Sequence, residues 1–100
     1  MESAVPAPYN LQIHIEADQV VVSQPLPCQL AILEHLELLR DSPRKQSRPS
    51  APPREIPGYL AHSFALVHEG QEHNYVILFN ISDDDTVLLV DFIGHFVYGD

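Results

Sequence analysis

The chain is poor in cysteine and in positive charge, and each of these two shortages disfavours a class of protein. It has 100 residues with one cysteine, no tryptophan and four glycines. A single cysteine cannot form an intrachain disulfide, which excludes the bridged frameworks of small secreted domains. Lysine and arginine total 5 against 14 aspartates and glutamates, and the formal charge is −9. So acidic a surface repels phosphate backbones and disfavours general nucleic-acid binding.

Long apolar runs and targeting signals are also missing. No stretch approaches the roughly 18 apolar residues of a membrane span, and residues 1–12 carry neither a basic nor an apolar signal region. We therefore expect a cytoplasmic protein that does not associate with membranes. Residues 1–8 place two prolines among small side chains, which predicts a loose N-terminal tail, and residues 9–100 are long enough for a single domain.

The N-terminal half predicts one strand and one long helix. Leu11, Ile13 and Ile15 alternate with polar residues, as in a strand with one buried face. Residues 16–24 are open to two interpretations: the β-branched run 20–22 favours a second strand in a hairpin, but the segment could equally form a short helix. An apolar stripe then predicts a helix over residues 28–40, formed by Ile32, Leu33, Leu36 and Leu39.

The C-terminal half predicts an antiparallel sheet. Strand-like runs occupy residues 60–68, 75–81 and 87–93, separated by short polar turns that favour antiparallel neighbours. The aspartates at 83–85 are typical of such a turn. The sheet needs an apolar cover, which the helix can provide. The predicted fold class is α+β, with an antiparallel sheet of four or five strands and one or two helices packed on one face.

All five cations lie between Arg40 and Arg54. The surrounding residues, 41–57, contain five prolines and therefore predict a Pro/Arg-rich loop. Three interpretations of this loop stay open. The first is a solvated loop. The second is a contact for RNA or DNA phosphates through Arg44, Lys45, Arg48 and Arg54, and the third is a docking site for an acidic segment of a partner protein.

The remaining reactive side chains do not form a recognisable site. The six histidines lack the spacing of metal ligands, and the nearest grouping is His62, His68, Glu69 and His73. Cys28 falls in the first turn of the predicted helix and is expected to pack in the core. We expect neither a metal ion nor a cofactor.

The C-terminal stretch HNYVILFNISDDDTVLLVDFIGHFVYG resembles the end of the RelE/ParE superfamily of bacterial toxin-antitoxin toxins. The similarity rests on Tyr75 before an apolar strand, an aspartate-containing turn, and Ile93-Gly94-His95 followed by Tyr98. The order of elements agrees as well, so the resemblance implies a RelE/ParE-like fold. This sequence departs from the superfamily at Val76 and Phe96, where arginine is usual.

The resemblance also implies a function. It implies a toxin of a toxin-antitoxin system, whose ribonuclease members cleave mRNA, with an antitoxin-like protein as partner and RNA as a second candidate ligand. His95 and Tyr98 would then transfer protons, and Arg54 would anchor the phosphate. Because no strand carries a cation, activity would be weakened or lost. The alternative is a non-catalytic interaction module that binds a partner through a sheet edge or through the basic loop 40–54.

Overall fold

Two helices and five strands follow one another along the part of the chain that the structure describes. A computed structural model describes residues 8–49 and 59–98. The elements are β1 (Asn10–Ile13), α1 (Ile15–Val22), α2 (Leu26–Asp41), β2 (Arg48–Pro49), β3 (Leu60–His68), β4 (Gln71–Ile81) and β5 (Val87–Tyr98). Most of the predicted N-terminal tail, and Arg54 with the rest of 50–58, lie outside the described residues.

The five strands form one sheet in the order β1-β5-β4-β3-β2. The pairs β3–β4 and β4–β5 are antiparallel over their length, and the two-residue β2 joins the edge of β3. The predicted α+β class and strand number are confirmed. One pair differs from a purely antiparallel sheet: β1 runs parallel to β5, with Asn10 opposite Val87 and Ile13 opposite Val90. Parallel pairing is possible because α1, α2 and the hairpins separate the two strands in sequence.

The segment after β1 is a helix, so the preferred hairpin at 20–22 is wrong. The imidazole Nδ1 of His14 accepts a hydrogen bond from the Glu16 amide at 3.1 Å and caps α1. Ala17 and Val21 then lie one turn apart and are buried against the sheet, whereas Val22 is exposed. Burial of this stripe outweighs the strand propensity of the valine run.

Helix α2 covers the centre of the sheet. Its buried side chains are Cys28, Ile32, Leu36 and Leu39. They pack against Tyr75, Ile77, Phe79, Leu88, Val90 and Ile93. Leu33, which the sequence placed in the buried stripe, is 48% exposed and lies on the outer flank of the helix. Cys28 is a core residue, as expected.

The sheet has a helix face and an open face. The helix face carries the core residues of β4 and β5, together with Phe64, His73 and His95. The open face carries the alternate positions, which include Ser63, Ala65, Val76, Phe96 and Tyr98. A bulge beside Leu78 and Phe79 inserts one residue into β5 and keeps Val90 and Ile93 on the same face. Phe96 and Tyr98 remain more than half exposed.

Candidate functional site

His95 is held on the helix face of β5. Its ring stacks on Tyr75 at a centroid distance of 4.8 Å, and its Nε2 lies 3.0 Å from Nδ1 of His73. Burial, and then the proximity of His73, lower the pKa of His95. Tyr75 is fully buried and donates its hydroxyl to Oε1 of Gln24 at 2.8 Å, which ties the sheet to the turn between α1 and α2. His95 is therefore a neutral, positioned imidazole at neutral pH.

Tyr98 lies on the open face, away from His95. The two residues are three positions apart on β5, and side chains alternate between the faces of a strand. Tyr98 lines a cavity of about 410 Å³ whose other walls include Phe96, Val76 and Asn74. The two predicted proton-transfer residues therefore do not share a site, and each faces a different environment.

Arg44, one of the predicted phosphate-binding cations, lies far from both residues. The Arg44 guanidinium donates to the Tyr9 hydroxyl at 3.1 Å and lies 3.0 Å from Oδ1 of Asp85, in the turn before β5. At about 3.3 Å per residue, the strand from Asp85 to His95 spans roughly 30 Å. Lys45 lines a separate cavity of about 310 Å³ with His62 and Ser63. Arg48 is placed on β2 opposite Ala61, and Arg54 lies outside the described residues.

The open-face cavity is uncharged. Ser63, Ala65, Asn74, Val76, Phe96 and Tyr98 contribute to its lining, together with Phe64 and Tyr75. Hydroxyl and amide groups can orient a ligand there, and the rings of Phe96 and Tyr98 can stack on it. No described residue lining this cavity supplies the cation that stabilises developing charge in phosphoryl transfer. The site is suited to an apolar or aromatic group.

The outer edge of β5 is open beyond Val90. The chain turns away at His14, whose amide donates to the Val90 carbonyl at 2.8 Å and ends the pairing with β1. Among the residues that the structure describes, no strand pairs with this edge over 91–98. Two cavities of about 320 and 480 Å³ follow it between α1 and β5, and both are lined by Val20, Ser23, Phe92 and Ile93. An unpaired edge beside a groove can accept an added strand.

Sequence reasoning missed two histidine pairs. His35 on α2 and His62 on β3 approach to 2.8 Å between Nδ1 and Nε2, although they are 27 positions apart. His73 and His95 form the second pair, between β4 and β5. No local motif joins either pair, and only the packing of the strands and α2 brings them together. Within residues 8–49 and 59–98, no group of three or more histidine, cysteine or acidic side chains could hold a metal ion.

The architecture has a known counterpart. This chain is similar to one in the crystal structure of the toxin-antitoxin complex RelBE2 from Mycobacterium tuberculosis, with a TM-score of 0.67 and 19% sequence identity. The match covers 89% of this chain and 92% of that chain. The chain has a RelE-like fold. This confirms the fold implied by Tyr75, Gly94 and His95. No family model and no curated protein matches the sequence.

The two departures from the superfamily pattern lie together in this RelE-like fold. Val76 is opposite Gly94, and Phe96 is opposite Asn74, on adjacent strands. Val76 and Phe96 both line the open-face cavity. Where the resemblance leads one to expect arginines, the fold presents an apolar surface. In the described part of the chain, no helix has the length and composition needed to cross a bilayer.

Proposed function

We propose that this protein is a RelE-like member of a toxin-antitoxin pair that binds an antitoxin-like protein and has weak or no mRNA-cleaving activity. The observation that carries this proposal is the uncharged cavity formed by Val76, Phe96 and Tyr98. The similarity to a chain of a toxin-antitoxin complex supports the identity of the partner. RNA is the less favoured ligand because the described cations lie elsewhere.

Weak catalysis follows from electrostatics. Removal of a single donor that stabilises developing negative charge costs about 10²- to 10³-fold in rate in well-studied enzymes. Here the cavity lacks two such groups, at Val76 and Phe96, and the guanidinium of Arg44 is paired with Asp85 in the turn before β5. His95 and Tyr98, with Arg54 as phosphate anchor, remain the groups to which any residual cleavage would be assigned.

Partner binding is proposed at the outer edge of β5. An extended segment added there would hydrogen-bond to the β5 backbone and place alternate side chains in the groove beside Phe92 and Ile93. The first turn of α1 adds the carboxylate of Glu16 to the lining of this groove. A partner segment with apolar and basic residues would complement it. The basic loop with Arg44, Lys45 and Arg48 is the second candidate contact.

The proposal is tested by expression in a bacterial host, with growth and transcript integrity followed over time. We expect intact transcripts from the wild-type protein. Rapid and extensive cleavage of transcripts would show that the proposal of weak or no mRNA-cleaving activity is wrong. A His95→Ala, Arg54→Ala double variant and a Tyr98→Phe variant then show whether the predicted residues carry the activity.

Partner binding is measured by titration calorimetry with the protein encoded beside this one in its genome. Phe92→Lys places a charge at the edge groove and is expected to weaken binding at least about tenfold, a loss of about 1.4 kcal/mol. Val67→Lys is the matched control, since Val67 is 72% exposed on β3, away from this edge. If Phe92→Lys and Val67→Lys bind the partner with equal affinity and an Arg44→Ala, Lys45→Ala double variant binds it more weakly, the contact lies at the basic loop. Absence of binding by the wild-type protein would overturn the proposal.

A further inference from the structure

The groove between α1 and the outer edge of β5 ends among polar side chains. Its larger cavity, of about 480 Å³, has apolar walls, and three polar residues contribute to its lining: Ser23, Gln24 and His95. The smaller cavity, of about 320 Å³, shares Ser23 and adds Glu16 of α1. The groove therefore has an acidic end, an apolar centre and a polar end that carries no formal charge at neutral pH.

His95 has one ring nitrogen available to a ligand. Its Nε2 lies 3.0 Å from Nδ1 of His73, and the two rings are nearly coplanar, with an angle of 11° and a centroid distance of 5.2 Å. This edge-to-edge arrangement is that of an N–H···N hydrogen bond, so Nε2 is occupied. Nδ1 of His95 has no partner among the described residues, where no buried side-chain nitrogen lacks a hydrogen bond, so Nδ1 is open to solvent.

Gln24 supplies a second polar group, held in place by two hydrogen bonds. Its Oε1 accepts from the Tyr75 hydroxyl at 2.8 Å, and its Nε2 donates to the Ser23 hydroxyl at 3.1 Å. Because a carboxamide nitrogen carries two hydrogens, one N–H of Gln24 is left to donate. The Ser23 hydroxyl spends its own hydrogen on the Val20 carbonyl, at 2.7 Å. The free hydrogen at this end of the groove is therefore that of Gln24.

The bond to His73 allows His95 to donate at the same end. When Nδ1 of His73 donates to Nε2 of His95, neutral His95 carries its hydrogen on Nδ1. The opposite arrangement leaves a lone pair on that nitrogen. An acceptor oxygen in the groove selects the first arrangement, because both His95 and Gln24 then offer it hydrogen. A donor group would meet the N–H of Gln24, so an acceptor fits better.

The distance between the two ends fixes the spacing of side chains on a bound strand. Glu16 and Ser23 are seven positions apart along α1, which is roughly 10 Å at 1.5 Å per residue. Side chains four positions apart on one face of a strand are about 13 Å apart, and the residue between them shares that face. An extended segment therefore reaches both ends with residues i and i+4 and fills the apolar centre with residue i+2.

We propose that this groove selects an extended partner segment by the order of three side chains. The first is a cation at the Glu16 end, and the second is an apolar side chain over the centre. The third carries an acceptor oxygen, from a carboxylate or a carboxamide, which accepts hydrogen bonds from His95 and Gln24. This selection rests on the proposed function, to which it adds the chemistry of the bound strand. His95 is then a specificity-determining residue for partner binding.

Titration calorimetry with the protein encoded beside this one in its genome tests the selection. His95→Phe keeps an aromatic ring against Tyr75 but removes both nitrogens, and it should weaken binding about five- to tenfold. His68→Phe is the matched control, because His68 lies at the end of β3, away from the groove, and its affinity should equal that of the wild type. Equal affinities of His95→Phe and the wild type would overturn the selection. The proposed function survives that result if Phe92→Lys still weakens binding, whereas no binding by the wild type overturns both.

Nitrogen-15 NMR of the wild-type complex decides the question if His95→Phe does not fold. In the complex, Nδ1 of His95 should be protonated and its hydrogen should exchange slowly with water. A lone pair on that nitrogen in the complex would contradict the selection. Calorimetry in two buffers then identifies the acceptor. A carboxylate beside His95 raises the pKa of the imidazole and gives proton uptake near pH 6.5, whereas a carboxamide gives none. Release of protons on binding would contradict an acceptor at this position.

The acidic end is tested by the salt dependence of binding. Glu16→Gln removes the charge at the groove and should weaken the decrease in affinity between about 50 and 500 mM salt. Glu69→Gln is the matched control, since this side chain makes the same change in charge at the β3–β4 turn, where it is 84% exposed. A salt dependence in Glu16→Gln equal to that of Glu69→Gln would overturn the proposed order of side chains.

Discussion

Replacement of Ile32 by alanine tests the packing on which the whole fold depends. Ile32 is 0% exposed at the centre of α2, where it packs against the helix face of the sheet. The change removes three side-chain carbons, worth about 0.8 kcal/mol each in transfer free energy. A residual cavity adds to this, and the total loss in free energy of unfolding should be about 3 to 4 kcal/mol. For a domain of this size, the melting temperature should fall by roughly 15–25 °C.

The matched control is the adjacent position on the same helix. Leu33 has the same number of side-chain carbons as isoleucine and is 48% exposed, so Leu33→Ala should cost less than about 1.5 kcal/mol. Both free energies are measured by urea unfolding followed by far-ultraviolet circular dichroism, because the chain has no tryptophan for fluorescence. Equal losses at the two positions, or a larger loss at Leu33, would show that α2 does not present Ile32 to the sheet.

Three further changes probe single contacts. Tyr75→Phe should lower the free energy of unfolding in urea titrations by about 1 kcal/mol, because it leaves Oε1 of Gln24 without its donor. An unchanged free energy would show that this hydrogen bond does not stabilise the fold. The pKa of His95 is lowered from its ordinary value of 6.5, so the folded state binds fewer protons than the unfolded state as the pH falls below 6.5. The unfolding free energy should therefore decrease below pH 6.5 and level off below the pKa of the folded state. His95→Gln should reduce this slope, and an increase in stability on acidification would contradict the prediction. Gly94→Ala should change stability by less than about 1 kcal/mol, because the added Cβ meets the exposed ring of Phe92 at 3.2 Å and that of Phe96 at 3.9 Å, and alanine suits a strand better than glycine. A loss above about 2 kcal/mol would show that the Phe92 ring cannot move.

The sheet was predictable because its pattern is local. Alternation along 60–68 gives the bounds of β3, and the apolar runs 75–81 and 87–93 identify β4 and β5. Both longer strands extend beyond the predicted ends, since the polar residues 71–74 before the apolar run of β4 and residues 94–98 after that of β5 still pair in the ladder. Backbone pairing continues where the hydrophobic pattern stops, and periodicity alone therefore underestimates strand length.

The first helix and the parallel pair were not predictable from local pattern. The three valines at 20–22 favour a strand by propensity, and only the burial of Val21 with Ala17 against β5 makes a helix the better solution. Similarly, the alternation of Leu11 and Ile13 indicates a strand but not its neighbour. Its pairing with Val87–Val90 is set by the helices that return the chain to the far edge of the sheet.

The candidate site also combines features that the local sequence pattern predicts with features that depend on packing between elements. The resemblance located Val76, Phe96 and Tyr98 in sequence, and the strand period is sufficient to place Phe96 and Tyr98 on one face. Val76 shares that face through the register of β4 with β5. The same period places His95 on the other face, a consequence that the motif Gly94-His95 does not reveal by itself. The histidine pairs depend on cross-strand register and on the position of α2, neither of which a linear pattern contains.

The distribution of charge supports the proposal that this RelE-like fold serves binding rather than catalysis. A phosphoryl-transfer site needs cations within a few ångströms of the reacting group, since their effect falls with distance and with solvent screening over about 8–10 Å. The described cation Arg44 is bonded to Asp85, roughly 30 Å along the sheet from His95 by the rise of its strand. At that separation Arg44 cannot stabilise charge at either His95 or the cavity of Tyr98. Among the described residues, the open face retains aromatic and apolar surface and β5 retains an unpaired backbone edge. Both features support the proposed protein partner over an RNA substrate.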